Sequence, residues 1–401
     1  MQYSDVLTEV AERLQAALKV AAQQLHSGRP VECSLALLPP VALEEMSLRW
    51  GTIDVLDDHG GHFELVVGLD DKMLTASFVG LLRRMQEPHE PHKDGEKSPP
   101  PIIGPLVKRL SQEGVVPVLL LLVPAHTGLW SERRRWLKRT VVAHDVMEEK
   151  GEHFLPLLLL QELLLTSLLV SCHHKVQEVW VHRWWVEQQM LKLGGMDLEA
   201  FHIHDRSVLF NAADKHPMNY NAWNHRRQVF AFHFQQDGNE ESVNRAFFLQ
   251  ELDVVVHFFE KHNGDTSAAA YLTFLLEQAT AKRGAYFDKH DSVALHVWGR
   301  LLAVTTQELR RHYDKGHEAV WMLRLALMRW ALCERPPCGW TLQDELDFVS
   351  TYASVVTMLG EDEDEGNMEL DVTWVDVSGS YWWTSYHAVR YGLQLLRMLR
   401  M

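Results

Sequence analysis

Histidine and cysteine are the side chains best able to hold a metal or attack a substrate, and this sequence carries 23 of the first and 4 of the second. The densest groups are "HIHD" at 202–205 and the pair His173–His174. Metal chemistry needs ligands that converge, at i and i+3 or i+4 on a helix or in spacings such as H-E-x-x-H and C-x-x-C. His202 and His204 meet that need only on a strand or loop, and Cys33, Cys172, Cys333 and Cys338 have no paired spacing. The histidines are therefore expected to be incidental surface or turn residues, with no metal bound by this chain. Neither a G-x-S-x-G elbow nor a phosphate-cradling glycine loop occurs. The chain does not read as a complete catalyst.

A different spacing recurs. Tryptophan followed three residues later by arginine appears as Trp130/Arg133, Trp180/Arg183, Trp223/Arg226 and Trp321/Arg324. The steps between them are 50, 43 and 98 residues, the last about twice the others, as in stacked helical hairpins. The doubled step puts a decayed copy at "GDTSAAAYLTFLLEQ", with Ala269 and Leu272 in the two slots, and a looser sixth copy places Trp383 and Tyr386 there. Apolar helical stretches at about 104–123, 157–172, 197–213, 241–260, 292–312 and 342–358 precede the six copies. Polar turns such as "DKHPMN" (214–219) and "DKG" (314–316) join the helices of a hairpin, and Asn219 suits an N-cap. A hairpin cannot bury its apolar face alone, so the pattern predicts an all-α, right-handed superhelical array. Within it each tryptophan fills a wedge between hairpins. Each arginine, one turn on, is expected to donate to carbonyls at a neighbouring helix end.

These repeats occupy 104–401, after an N-terminal region, 1–86, and a Pro-rich loop, 87–103. The start of the chain, with Val6, Leu7, Val10, Leu14 and Leu18 at helical intervals, predicts an amphipathic helix and not a leader. "DDHGG" between "WGTIDVL" and "HFELVVGL" predicts a β-hairpin over Trp50 to Leu69, with a helix at about 75–85. The acidic run "EDEDEG" at 361–366 reads as a solvated loop. The greasy runs at 115–123 and 155–170 fall short of the roughly 20 apolar residues of a membrane span. They are expected to be buried helices, with no transmembrane segment. A formal charge of −15 opposes binding to nucleic acid, and the cysteine usage suits a reducing, cytoplasmic location.

The copy "NYNAWNHRRQVF" (219–230), together with "VWVHRWWVEQQ" and "GHEAVW", resembles the N-Y-x-x-W-x-x-R repeat of protein prenyltransferase α subunits. The resemblance covers roughly residues 104–395 and is strongest to the α-type subunits of geranylgeranyltransferases. It implies a crescent of helical hairpins scaffolding a β subunit of the Rab geranylgeranyltransferase type. That partner would hold the zinc ion and the isoprenoid diphosphate, and would transfer the isoprenoid to an acceptor cysteine near the C-terminus of a protein substrate. The resemblance also implies that Tyr220 lies near the diphosphate. Where the family has a lysine just before the N-Y pair, this chain has Met218. A non-enzymatic helical-repeat adaptor is the alternative that this substitution and the decayed fourth copy favour.

Overall fold

The computed structural model describes residues 3–45, 50–58, 60–86, 114–146, 154–193, 198–234, 241–280, 293–311, 317–334, 340–352 and 382–399. The Pro-rich run, the "DKG" turn and the acidic run lie outside them. The protein is an all-α repeat array with one small sheet near its N-terminus, and it divides into two compact units, Met1–Val229 and Phe230–Met401.

In the first unit, helix α1 (Tyr3–His26) buries Val6, Leu7, Val10, Leu14 and Leu18. Strands β1 (Val31–Leu38), β2 (Gly51–Asp57) and β3 (Phe63–Asp70) form a sheet in the order β1-β3-β2, with a short helix α2 (Pro40–Glu45) before β2 and α3 (Asp71–Gln86) after β3. β2 and β3 pair antiparallel across the "DDHGG" turn, Gly51 facing Leu69 and Asp57 facing Phe63. At Gly51 a Cβ would stand 1.9 Å from the Gly68 carbonyl oxygen, so only glycine lets the two strands meet there. β1, which local alternation does not announce, pairs with β3 in parallel, Val31 facing Phe63.

The hairpins of this unit are α4 (Val116–Leu122) with α5 (Thr127–Val146), α6 (Phe154–Cys172) with α7 (Gln177–Leu193), and α8 (Leu198–Lys215) with α9 (Tyr220–Phe234). α6 is long and apolar enough to cross a membrane, yet it is buried against α1, β1, α7 and α8. Ten of its apolar side chains, from Leu155 to Val170, lie in the core, each stabilising by about 1.5–3 kcal/mol. Because α1 and β1 pack on this helix, the N-terminal region and the first hairpins share one core.

The second unit continues the pattern with α10 (Glu241–Lys261), α11 (Thr266–Thr280), α12 (Val293–Arg311), α13 (Glu318–Glu334), α14 (Leu342–Ser350) and α15 (Trp382–Leu399). The repeat tryptophans Trp130, Trp180, Trp223 and Trp321 are all buried. Their helices begin three residues ahead of them, and the residue before that is the cap. His126 Nδ1 accepts from Leu129 N (3.2 Å), Asn219 Oδ1 from Ala222 N (3.3 Å), and Asp265 Oδ1 from Ala268 N (3.0 Å). The decayed copy has lost its tryptophan and kept its cap.

Candidate functional site

The repeat arginines do not end mainly on helix-terminal carbonyls, as the spacing suggests, but on buried carboxylates. Arg133 reaches Glu162 on α6, Nη2 to Oε2 at 2.7 Å, and His182 Nε2 donates to the other oxygen at 2.8 Å. Arg324 forks onto Glu345 of α14, at 2.6 and 2.8 Å, and the Tyr391 hydroxyl of α15 donates to the same carboxylate. Arg183 does touch the Leu163 carbonyl at 3.4 Å, though its shorter bond is to Ser167 Oγ at 2.9 Å. A bare guanidinium cannot be buried cheaply, so each arginine needs an anion whose remaining lone pairs are also satisfied. The acid comes from the first helix of a hairpin. The groups that close on it come from helices on either side, so the repeat motif is a set of polar clamps between neighbouring hairpins.

The largest clamp centres on Asp205 of α8. Its Oδ2 accepts from Arg226 Nη1 at 2.7 Å, and its Oδ1 accepts from His225 Nε2 at 3.0 Å and Arg183 Nη2 at 3.3 Å. Glu187 of α7 stands 3.0 Å from Arg183 Nε and 3.2 Å from His225 Nε2. Burial alone would raise the Asp205 carboxyl; the charges of His225, Arg226 and Arg183 overcome it and hold the group well below the usual range. Burial also opposes charge on His225, but Glu187 and Asp205 raise it to about 9. For Glu187 burial prevails and its carboxyl is raised. In the first clamp Glu162 falls to about 2, burial being outweighed by Arg133 and His182, while burial lowers His182.

Donor atoms of Glu187, Asp205 and His225 lie within 4.8 Å of one another, a spacing that could hold a metal ion. Their chemistry argues otherwise. Two guanidiniums already bind the same carboxylate, so a divalent cation would add charge to a clamp whose acids are matched. The "HIHD" residues are also not incidental surface groups. His202, His204 and Asp205 lie on α8 and are buried; burial first, then the Arg183 charge, lowers His204 to about 3.

Sequence reasoning singled out Trp130, Arg133, Trp180, Arg183, Asn219, Trp223, Arg226, Trp321 and Arg324; the four arginines are clamp members, Trp130, Trp180 and Trp321 face clamp residues, Trp223 is buried beside Phe210, and Asn219 caps α9 at the turn. It passed over Glu162, Glu187, Asp205, His182 and His225. A signal was present: the acid stands 20 residues before its partner in Glu162/His182, Asp205/His225 and Glu251/Tyr271. The same partners face the preceding tryptophan, with ring centroids 4.4 Å apart for Trp130–His182 and 5.2 Å for Trp180–His225. In the last copy Tyr391 takes this place, 5.0 Å from Trp321; of Trp383, on α15, the described residues include the backbone only.

Clamps are closed to solvent; the turn edge is not. Tyr220, the first residue of α9, is 67% exposed, and Met218 beside it is 54% exposed with φ 58°. Asn219 Nδ2 donates to the His174 carbonyl (2.8 Å) and Asn221 Nδ2 to the Lys175 carbonyl (2.9 Å), fastening this turn to that of the preceding hairpin. Lys215 Nζ reaches the Ser171 carbonyl at 3.4 Å, and the His174 and His216 rings meet edge to face at 6.3 Å. Burial, and next to it the charges of Lys215, His216 and His173, lower His174 despite its bond to the Val170 carbonyl. Tyr220 thus stands on an open edge that also carries Lys175 and Lys215, apart from the buried arginines.

Fold and clamps together define an α-helical repeat protein whose hairpins are locked by buried tryptophan, arginine and acid. Residues 206–233, which take in the turn from Lys215 to Tyr220 and the His225 and Arg226 arms of the clamp, match the family described as "Protein prenyltransferase alpha subunit repeat". Over these residues the chain resembles proteins built on that repeat. It is similar to protein prenyltransferase alpha subunit repeat-containing protein 1-B of Xenopus laevis, 27% identical over 179 residues, which are 41% of this chain and 36% of that protein. Against repeat-containing protein 1 of Homo sapiens it is 28% identical over 174 residues, 40% of this chain and 38% of that protein. The Danio rerio protein gives 28% over 174 residues, 39% and 37%. The chain therefore spans less than two-fifths of the length of these relatives.

Proposed function

We propose that this chain is the α-type subunit of a heterodimeric protein geranylgeranyltransferase. It scaffolds a β subunit of the Rab geranylgeranyltransferase type, which carries the zinc ion and the isoprenoid diphosphate. The pair acts in the cytoplasm and joins the isoprenoid to a cysteine in the C-terminal region of a protein. The observation that carries the reading is the match over 206–233, coinciding with an exposed tyrosine among Lys175, Lys215 and His216 on a turn edge. A zinc ion held by the partner would supply the acceptor cysteine as a thiolate. On this chain, the Tyr220 hydroxyl donates to the diphosphate as its negative charge grows, and the Lys175 and Lys215 charges favour the leaving group, contributions larger in the transition state than in the bound substrate. Free thiols at Cys33, Cys172 and Cys333 agree with a reducing compartment.

Turnover of the reconstituted pair tests the proposal: the chain alone should transfer nothing, and the heterodimer should prenylate a protein with a C-terminal cysteine. Tyr220→Phe should then lower kcat by about 10- to 100-fold, or 1.4–2.7 kcal/mol, with β-subunit binding intact. The second reading, a non-enzymatic adaptor, is favoured by the exposed Met218 where the resembling family has a lysine. Stable assembly with no turnover would select it.

A further inference from the structure

We propose that the exposed side of α5, from Arg134 to Arg139, docks a short acidic segment of a partner protein. This inference is independent of the transferase assignment. α5 carries Arg133, Arg134, Arg135, Lys138 and Arg139 in a chain whose net charge is −15. Arg133 is taken by Glu162. Arg135 and Arg139 share one carboxylate, Glu132, at 2.6 and 2.9 Å, with their own side chains 65% and 62% exposed. Arg134 and Lys138 have no acidic partner among the described residues, and Arg134 Nε is buried without a hydrogen bond. Four cations thus meet one anion, and burial lowers the pKa of the Arg134 guanidinium with nothing offsetting it.

Two half-buried indoles lie close to this helix face. His182 feels the Arg134 charge and stacks on Trp185 at 5.7 Å, and Trp185 is half-buried. Trp136, also half-buried, lies under the Arg133 guanidinium at 4.5 Å. Carboxylates with interspersed apolar side chains complement this surface. The overall negative charge decides the size of the occupant. At physiological salt a charge is screened beyond about 8 Å, so a short acidic segment experiences mainly the α5 cations. An extended polyanion or an anionic bilayer would also lie against the acidic remainder of the chain.

The test uses the full chain and a fluorescein-labelled peptide of mixed Asp, Glu and Leu, followed by anisotropy. Binding should weaken as salt rises, and Arg134→Glu with Lys138→Glu should reduce affinity about ten-fold or more while the variant keeps its helical circular dichroism. Lys19→Glu, on the exposed side of α1, should bind as the unaltered chain does. If the doubly reversed variant fails to fold, Arg134→Gln with Lys138→Gln should still show a loss. Equal binding by the α5 variants and the unaltered chain overturns the proposal, as does no binding at all. So does binding of a single-stranded RNA oligonucleotide or of phosphatidylserine vesicles through α5 in place of the peptide.

Discussion

Replacing Asp205 by asparagine tests the clamp with the least steric disturbance, since the two side chains have nearly the same shape. The carboxylate receives Arg226 at 2.7 Å, His225 at 3.0 Å and Arg183 at 3.3 Å, and every one of these groups is buried. Removing its charge leaves two guanidiniums and an imidazolium facing Glu187 alone. It also turns an amide NH2 toward at least one donor. Breaking a buried pair by removing one partner costs about 3–5 kcal/mol, chiefly because the other charge stays buried and uncompensated. At about 2–4 °C per kcal/mol for a body of this size, the melting temperature should fall by roughly 6–20 °C. Circular dichroism melts and urea titrations measure it. Glu132→Gln is the control: that carboxylate is buried too, but its arginines reach into solvent, so the change should cost at most about 1 kcal/mol. An Asp205→Asn chain as stable as this control would show that the clamp does not hold the hairpins together, and the account of the repeat would fail.

The remaining predictions concern protonation, backbone and thiols. His225, raised to about 9 from 6.5, contributes stability that is full below pH 6.5 and is lost as pH rises through 9, on the order of 3 kcal/mol; melting temperatures should fall over that window and His225→Gln should flatten the fall. His204, lowered to about 3 from 6.5, has the opposite sign, so its contribution is lost as pH drops from 6.5 toward 3, and a titration of stability in His204→Gln should be shallower on the acid side. Met218 occupies the left-handed region at φ 58°, where a residue with a Cβ costs about 1–2 kcal/mol; Met218→Gly should raise the melting temperature by a few degrees, Met218→Lys should leave it unchanged, and a destabilised glycine variant would contradict the assigned backbone. Burial pushes the Cys33 thiol up to about 12 while Cys333 is exposed, so iodoacetamide at mildly alkaline pH should label Cys333 and spare Cys33 until the chain unfolds, as mass spectrometry of timed samples would show.

What could be read from the sequence was whatever repeats or is local. Tryptophan at a fixed step, the cap at Asn219 and the 3.6-residue periodicity of α1 are written within a turn or two of helix, and the "DDHGG" hairpin closes over five residues. The parallel partnership of β1 with β3 was not legible, because it joins residues separated by another strand and depends on α6 covering the sheet edge, where Leu35 N donates to Ser171 Oγ at 2.9 Å. The arginines were seen as a spacing, but their partners were not. A guanidinium at position i+3 specifies only that some acceptor is needed; whether that is a carbonyl or a carboxylate 22 residues on, as for Arg183 and Asp205, is settled when α7 and α8 pack. The histidines followed the same rule. Residue type leaves open whether His225 is a ligand, a surface group or a buried cation, and only the placement of Asp205 and Glu187 around its Nε2 makes it the last. Tyr220 and Lys215 lie five residues apart in sequence, but the backbone that puts them beside Lys175 on one open edge comes from the stacking of two hairpins, which long-range burial decides.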